Sequence, residues 1–482
     1  MNPRSRPVKL IQYVASTVFC LMFVASAFAD NPVPQVVGPV KPQAVVPGSA
    51  EFTLKVYGAN FVSGAVVNWN RSPRSTTFIS ARELKAQILA SDVATAAAGY
   101  ITVTNPPPGG GVSSSSYAMV EVHAPTATIT VGFPHAYFSG NGASVLVLSD
   151  FNNDGILDFA AEHGREILAM LGNGDGTFRF GSVATYDYFS LAAIASGDFD
   201  NDGNEDLVFG ANRNEPTRLQ VNLGDGTGKF TRGPRFGQFG TYPFGMAVGD
   251  FNRDGNLDLA TVTSCCTLSV FLGQGDGSFK HRADYNELGN YEVQTADFNG
   301  DGILDLVVVR GTGDGGLHIR LGNGDGTFST SRLVDPNAHI GCSFGPALFV
   351  SDFNNDGKAD LAYCERDKTN GKLWIALGKG DGTFKKPVSY PIENGIYGFS
   401  FATGDFNSDG KTDVVVSYIT FNASVFELFL GKGDGTFWRA KSVNLNGVYN
   451  AEEGIVPGDF NSDGLLDFIF QEPGVVSVFV QK

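Results

Sequence analysis

Seven times along its 482 residues the chain repeats one short string, Asp-Phe-Asn-x-Asp-Gly-x-x-Asp, with a single Asp-for-Asn exchange in the second copy. The copies begin at Asp150, Asp198, Asp250, Asp297, Asp352, Asp405 and Asp459, about every 51 residues. That period holds four short strands and their turns, a unit that cannot bury its apolar faces alone and must stack on its neighbours. In the third unit, strand-like runs at residues 245–249, 259–262 and 268–272 are followed by the turn Gly273-Gln274-Gly275-Asp276-Gly277. No helical period is sustained anywhere in this region. The pattern predicts an all-β fold in which residues 126–482 form a seven-bladed β-propeller.

Two positions support a closed ring. The residue before each first Asp is small (Ser149, Gly197, Gly249, Ala296, Ser351, Gly404, Gly458), as expected where inner strands crowd a channel. The residue after it is always Phe (151, 199, 251, 298, 353, 406 and 460), read as packing between blades. The chain ends within the seventh unit, after what would be its third strand. A segment at 126–136 is therefore expected to supply the missing outer strand, closing the ring and covering two sheet edges.

The acids of the repeat carry chemistry. A carboxylate or amide at positions one, three, five and nine, with Gly at six, lets alternate residues turn their oxygens to one point, and hard cations with six to eight oxygen ligands need that arrangement. The sets are Asp150, Asn152, Asp154, Asp158; Asp198, Asp200, Asp202, Asp206; Asp250, Asn252, Asp254, Asp258; and Asp297, Asn299, Asp301, Asp305. The remaining three are Asp352, Asn354, Asp356, Asp360; Asp405, Asn407, Asp409, Asp413; and Asp459, Asn461, Asp463, Asp467. The competing reading is that Asp, Asn and Gly merely form turns. Yet converging carboxylates repel one another without a cation, and a plain turn does not require three of them in seven copies. Ca²⁺, at up to seven sites, tolerates the irregular geometry better than Mg²⁺. An EF-hand is excluded, because it needs Glu at position twelve, where this chain has Ala161, Phe209, Thr261, Val308, Tyr363, Val416 and Phe470 on strand-like flanks.

These loops, most followed by Leu-Gly-x-Gly-Asp-Gly-Thr-Phe, resemble the FG-GAP/VCBS repeat family over about 350 residues. The resemblance extends to integrin α subunits, and implies a propeller with calcium held in hairpin loops between the first and second strands of several blades. Unit two departs from the pattern in Asp200 and in its later turn, Leu223-Gly224-Asp225-Gly226-Thr227-Gly228-Lys229-Phe230.

Residues 30–124 read as a separate small β-sandwich with alternating apolar patterns. The strings Phe52-Thr53-Leu54, Gly58-Ala59-Asn60-Phe61, Val67-Asn68-Trp69 and Ile101-Thr102-Val103-Thr104-Asn105-Pro106 resemble the IPT/TIG immunoglobulin-like family. Ahead of it, Arg4, Arg6 and Lys9 precede an apolar run at 14–24 and Ala27-Phe28-Ala29. Residues 1–29 therefore read as an export signal, too short and too interrupted by Ser and Thr to be a full bilayer span. A lipid anchor at Cys20 is disfavoured by the bulky Phe19 before it. The expected location is secreted or cell-surface. In that oxidising setting the four later cysteines are candidates for disulfides, Cys342 with Cys364 favoured, leaving Cys265 and Cys266 as a vicinal pair or free thiols.

The net charge is −16, or −19 without residues 1–29, and seven divalent ions would bring it to −5. An acidic balance argues against nucleic acid as a partner. No nucleophile elbow, Walker loop or zinc-protease helix occurs, and the six histidines (123, 135, 163, 281, 318, 339) are scattered, so no catalytic residue and no enzymatic activity is expected. The favoured reading is an adhesion or ligand-binding module with a protein or carbohydrate ligand. The alternative is a lectin or polysaccharide-active enzyme using the face opposite the metal loops. That face would carry Tyr186, Tyr188, Phe189, Phe236, Phe239, Tyr242, Phe244, Tyr291, Phe344, Tyr397, Phe399 and Tyr449. Aromatics there can stack on sugars, or simply pack between blades.

Overall fold

In residues 35–122, strands alternate apolar and polar side chains so that one face of each turns inward. Leu54 and Val56 of Phe52–Ala59 share a buried core with Leu84, Ala86 and Ile88 of Glu83–Ile88, and with Val67, Trp69, Ile101, Val103, Val120 and Val122 from the facing sheet. Each such Leu, Ile or Val contributes about 1.5–3 kcal/mol by leaving water. One sheet has the order Gln35–Val36, Phe52–Ala59, Glu83–Ile88, Thr76–Ser80; the other runs Ala44–Val45, Met119–Val122, Ala97–Asn105, Val66–Trp69, Ser72–Pro73. Close packing is enforced at Gly99, where a β-carbon would lie 2.2 Å from the Trp69 ring. This is a computed structural model. It describes residues 30–482 apart from 114–117, 127–131, 133, 138–145, 164–165, 186–190, 212–216, 240–242, 264–266, 287–289, 311–315, 336–347, 367–370, 393–396, 420–423, 441–442, 446–453 and 473–474.

The rest of the chain is a propeller-like array of seven antiparallel sheets. The third is typical: Pro243–Gly249, Asp258–Thr263, Thr267–Gly273 and Phe279–Asn286 pair in chain order. Second strands such as Asp258–Thr263 are buried at every position, because both faces lie against neighbouring sheets; the outer strand Phe279–Asn286 is largely exposed. First strands of successive sheets lie against one another and so form the inner layer. In the seventh sheet the outer strand is His135–Tyr137, paired antiparallel with Val475–Phe479 in the register Ala136 to Ser477. The Gly132 amide extends this pairing to Val480 O at 2.8 Å. The N-terminal strand thus pairs at the end of the segment expected for it; residues 127–131 and 133 lie outside the described residues.

Where the residue before a loop is Gly, the next loop leaves no room for a side chain. The position-eight side chain of the next loop fills that space: a β-carbon would sit 2.6 Å from Leu304 at Gly249, 2.4 Å from Leu466 at Gly404 and 2.9 Å from Leu157 at Gly458. The recurrent Phe then couples neighbours twice over. Its ring packs edge-on against the Phe that follows the later turn of the next sheet, as in Phe251 with Phe328 at 5.4 Å and Phe460 with Phe178 at 5.6 Å. Its carbonyl accepts the N–H of a turn glycine from that same sheet. Gly228 donates to Phe151, Gly277 to Phe199, Gly326 to Phe251, Gly382 to Phe298, Gly435 to Phe353, and Gly176 of the first sheet to Phe460 of the seventh. The seventh sheet has no such turn, and there the Gln481 side-chain amide donates to Phe406 O at 3.0 Å.

Candidate metal loops

Every loop joins the first and second strands of its sheet, and its fold is written in side-chain to backbone hydrogen bonds. In the first loop, Asp150 accepts the Asp154 and Gly155 amides at 3.1 and 2.8 Å, and Asp154 accepts the Ile156 amide at 2.9 Å. Asp158 spans the sheet, taking the Phe151 amide with one oxygen and the Gly172 amide with the other, at 2.9 and 2.8 Å. The position-one contacts to positions five and six, and the position-nine contact to position two, recur in all seven loops, the last at Asp459, Asp463 and Asp467. Gly at position six has φ between +80° and +87° throughout, which favours glycine. Position four also lies in the left-handed region, as Asn153, Asn201, Arg253, Gly300, Asn355, Ser408 or Ser462; the recurrence of Asn, Ser and Gly there was the available signal.

These bonds gather acids in a buried setting. Position-nine carboxylates are fully buried: Asp158, Asp206, Asp258, Asp305, Asp360, Asp413 and Asp467 are each 0% exposed. Burial, reinforced by the neighbouring loop acids, pushes Asp158, Asp305 and Asp360 up to about 7 and Asp206 and Asp467 up to about 8, while Asp258 and Asp413 are raised well above the ordinary carboxylate range. Among the first acids, burial raises Asp198, Asp250 and Asp459 to about 6 and Asp405 to about 7. Loop two concentrates charge most, since Asp198, Asp200 and Asp206 present oxygens within 4.8 Å of one another, the one such group of three among the described residues. Hard, buried, mutually repelling oxygens are a donor set that fits a divalent cation.

The later turns are different. Asp175, Asp225, Asp276, Asp325, Asp381 and Asp434 are exposed and hold Thr or Ser two residues on, with Asp325 accepting both the amide and the hydroxyl of Thr327. That hydroxyl bond, the largest cause, lowers their pKa values. They shape turns.

Several participants had no local sequence signal. The sandwich rests on the rim formed by the acidic loops. The Val33 amide donates to Asp250 Oδ2 at 2.8 Å, the Asn60 side chain to Asp250 O at 3.0 Å, and the Tyr100 hydroxyl to Asp459 O at 3.0 Å. Glu205 was legible, standing at position eight where the other loops have Leu, Ala or Thr. Its burial, with Asp198 and Asp150 nearby, raises it to about 7. Cys364 is buried and disulfide-bonded; Cys265, Cys266 and Cys342 lie outside the described residues. Of the aromatics expected on the opposite face, Phe236 and Phe239 are buried against Phe271, at 5.2 and 5.9 Å, and Phe244 is exposed. For Tyr291, Tyr397 and Phe399 only the backbone is described, and Tyr186, Tyr188, Phe189, Tyr242, Phe344 and Tyr449 lie outside the described residues.

Propeller-like sheets, each with an acid-lined hairpin loop between its first two strands, define a repeat protein of the FG-GAP class. The family model for FG-GAP-like repeats matches residues 150–209, 198–261, 297–363, 352–416 and 418–470, more than half of the chain, and the protein belongs to that family. The chain is 28% identical over 292 residues to cartilage acidic protein 1 of Xenopus tropicalis, covering 55% of this chain and 41% of that protein. It is 26% identical over 267 residues to integrin alpha pat-2 of Caenorhabditis briggsae, covering 50% and 19%. The match thus spans less than half the length of these relatives. Among solved structures, an auxiliary nutrient binding protein from Bacteroides ovatus ATCC 8483 aligns over 93% of this chain and 98% of its own, at 10% identity and a TM-score of 0.41. Among the described residues no helix is long and apolar enough to cross a membrane.

Proposed function

We propose that this chain is an exported, calcium-binding seven-bladed β-propeller that acts as an adhesion or ligand-binding module and engages an extracellular protein through the face opposite its metal loops. One observation carries the choice of face. The sandwich, read here as an IPT/TIG-like domain spanning residues 30–124, contacts the loops headed by Asp250 and Asp459, and so covers the rim that holds the acids. Calcium, in this reading, neutralises buried carboxylates and stiffens the loops, and its role is structural. Family membership and the weak likeness to an integrin α chain support adhesion over catalysis. Export would follow cleavage after Ala29.

The test is surface plasmon resonance of the mature chain against a panel of extracellular-matrix proteins and glycans, in calcium and in EDTA. Calcium-dependent capture of a protein, weakened at least tenfold by Phe244→Ser, is expected. Binding that survives this change and is lost on altering the sandwich surface would overturn the assignment of the face.

Carbohydrate is the second reading, favoured by a groove of about 360 Å³ between the second and third sheets, lined by Phe271, Phe279, Thr263, Ser269, His281 and Asp284. Here Ser269 Oγ and His281 Nε2 both meet Asp284 Oδ1, at 2.6 and 2.9 Å. The carboxylate lies between hydroxyl and imidazole, so this cluster lacks the nucleophile–base contact of covalent catalysis. Glycan capture without protein capture in the same panel would favour this reading.

A further inference from the structure

The sandwich does not treat the seven loops alike. At three of them it brings a cation to the same atom, Oδ2 of the position-one acid, the oxygen that also accepts the position-six amide. Arg71 pairs with Asp150 Oδ2 and also donates to Asn153 O at 3.1 Å, Arg82 Nε lies 2.8 Å from Asp297 Oδ2, and Lys41 Nζ lies 2.7 Å from Asp352 Oδ2. All three acids are buried at their side chains, so little water intervenes. At Asp250 what the sandwich brings to the same oxygen is the neutral Val33 amide, beside the loop's own Gly255 amide.

The loops headed by Asp198, Asp405 and Asp459 receive no cation from the sandwich among the described residues. Loop two has three converging carboxylates. Beside loop six the sandwich adds an acid instead: Glu121, 2% exposed, accepts the Ser408 hydroxyl at 2.5 Å. Lys411, which reaches Asp409 at 3.1 Å, is that loop's own exposed position-seven side chain.

We propose that the sandwich sorts the loops. Arg71, Arg82 and Lys41 are resident counter-ions that stand in for divalent metal at the loops headed by Asp150, Asp297 and Asp352, and metal is confined to those headed by Asp198, Asp250, Asp405 and Asp459. The inference rests on the reading of the loops as calcium sites. Its physical basis is that a guanidinium or ammonium and a divalent ion repel each other strongly when both face one buried carboxylate. The sandwich is thereby docked by charges that a full set of metal ions would displace.

Native mass spectrometry of the mature chain in excess calcium counts the ions directly. Four are expected in the wild type and seven in the K41M/R71M/R82M triple variant. Arg71 is half exposed, so R71M serves if the triple variant does not fold; it is expected to bind five ions, and R71K, which keeps the charge, four. Seven ions in the wild type, or an equal gain in R71K and R71M, would overturn the sorting while leaving calcium binding intact. No ions in any variant would overturn the calcium reading itself.

Discussion

The two bodies of this chain bury opposite things. The sandwich closes on an apolar cluster around Trp69, Leu54 and Val103, and its stability comes from carbon leaving water. The seven-sheet array has apolar cores too, but at the head of every sheet it also buries carboxylates whose oxygens are spent on backbone amides. An apolar core is indifferent to pH and to ions. A ring of buried acids is linked to both, and the contrast shows that one chain can concentrate its solvent sensitivity in one body, the sandwich's own buried acid, Glu121, standing at the seam with it.

Calcium removal is the strongest way to break that comparison. At calcium a hundredfold above its dissociation constant, each filled loop adds about 2.7 kcal/mol of stability. Scanning calorimetry is expected to show the array's transition falling steeply in EDTA while the sandwich's own transition holds. Equal shifts in both would remove the distinction.

The acidity of the loops sharpens it. An unfolded Asp titrates at about 3.9, whereas folded Asp158, Asp305 and Asp360 titrate at about 7 and Asp206 and Asp467 at about 8. Between those values the folded chain holds more protons than the unfolded one, so metal-free stability is greatest in acid and is lost as pH rises from about 4 to about 8. Thermal melts in EDTA at several pH values should show this slope, and calcium should flatten the part due to Asp198, Asp206, Asp459 and Asp467. A metal-free melting temperature that climbs over this range would contradict the assignment.

The smallest expected effect concerns the Phe406 carbonyl, whose inter-sheet donor is a side chain where the other six have a turn glycine. Gln481→Ala leaves Phe406 O without its donor and should cost about 1–3 kcal/mol, read as a lower denaturant midpoint with unchanged calcium stoichiometry. An unaltered midpoint would show that the ring is held there by other contacts.

Much of the array was legible because its signals are local. A loop that turns on Asp, Asn and Gly at fixed offsets announces its strands, and each position-one acid binds amides only four and five residues away. The need for small residues at Gly249 or Gly404 was visible, but its cause was not, because Leu304 and Leu466 arrive from the next repeat, more than fifty residues on. Gln481 was equally silent: nothing around it reveals that its amide completes a series begun by six turn glycines. The aromatics show the reverse case: for Phe236 and Phe239 the sequence left ligand stacking and packing equally open, and their burial against Phe271 makes them core.

What the sequence alone determined is the repeat: seven hairpin loops rich in oxygen donors, strands of alternating or continuous apolar character, and a last unit short of one strand. Those follow from interactions within about twenty residues, which a linear string displays. Only the tertiary structure decided which loops face solvent and which face Lys41, Arg71, Arg82 or Glu121. Electrostatic partners 79 to 311 residues apart leave no periodic trace, and a cation's effect on a carboxylate depends on a separation of a few ångströms that folding alone sets.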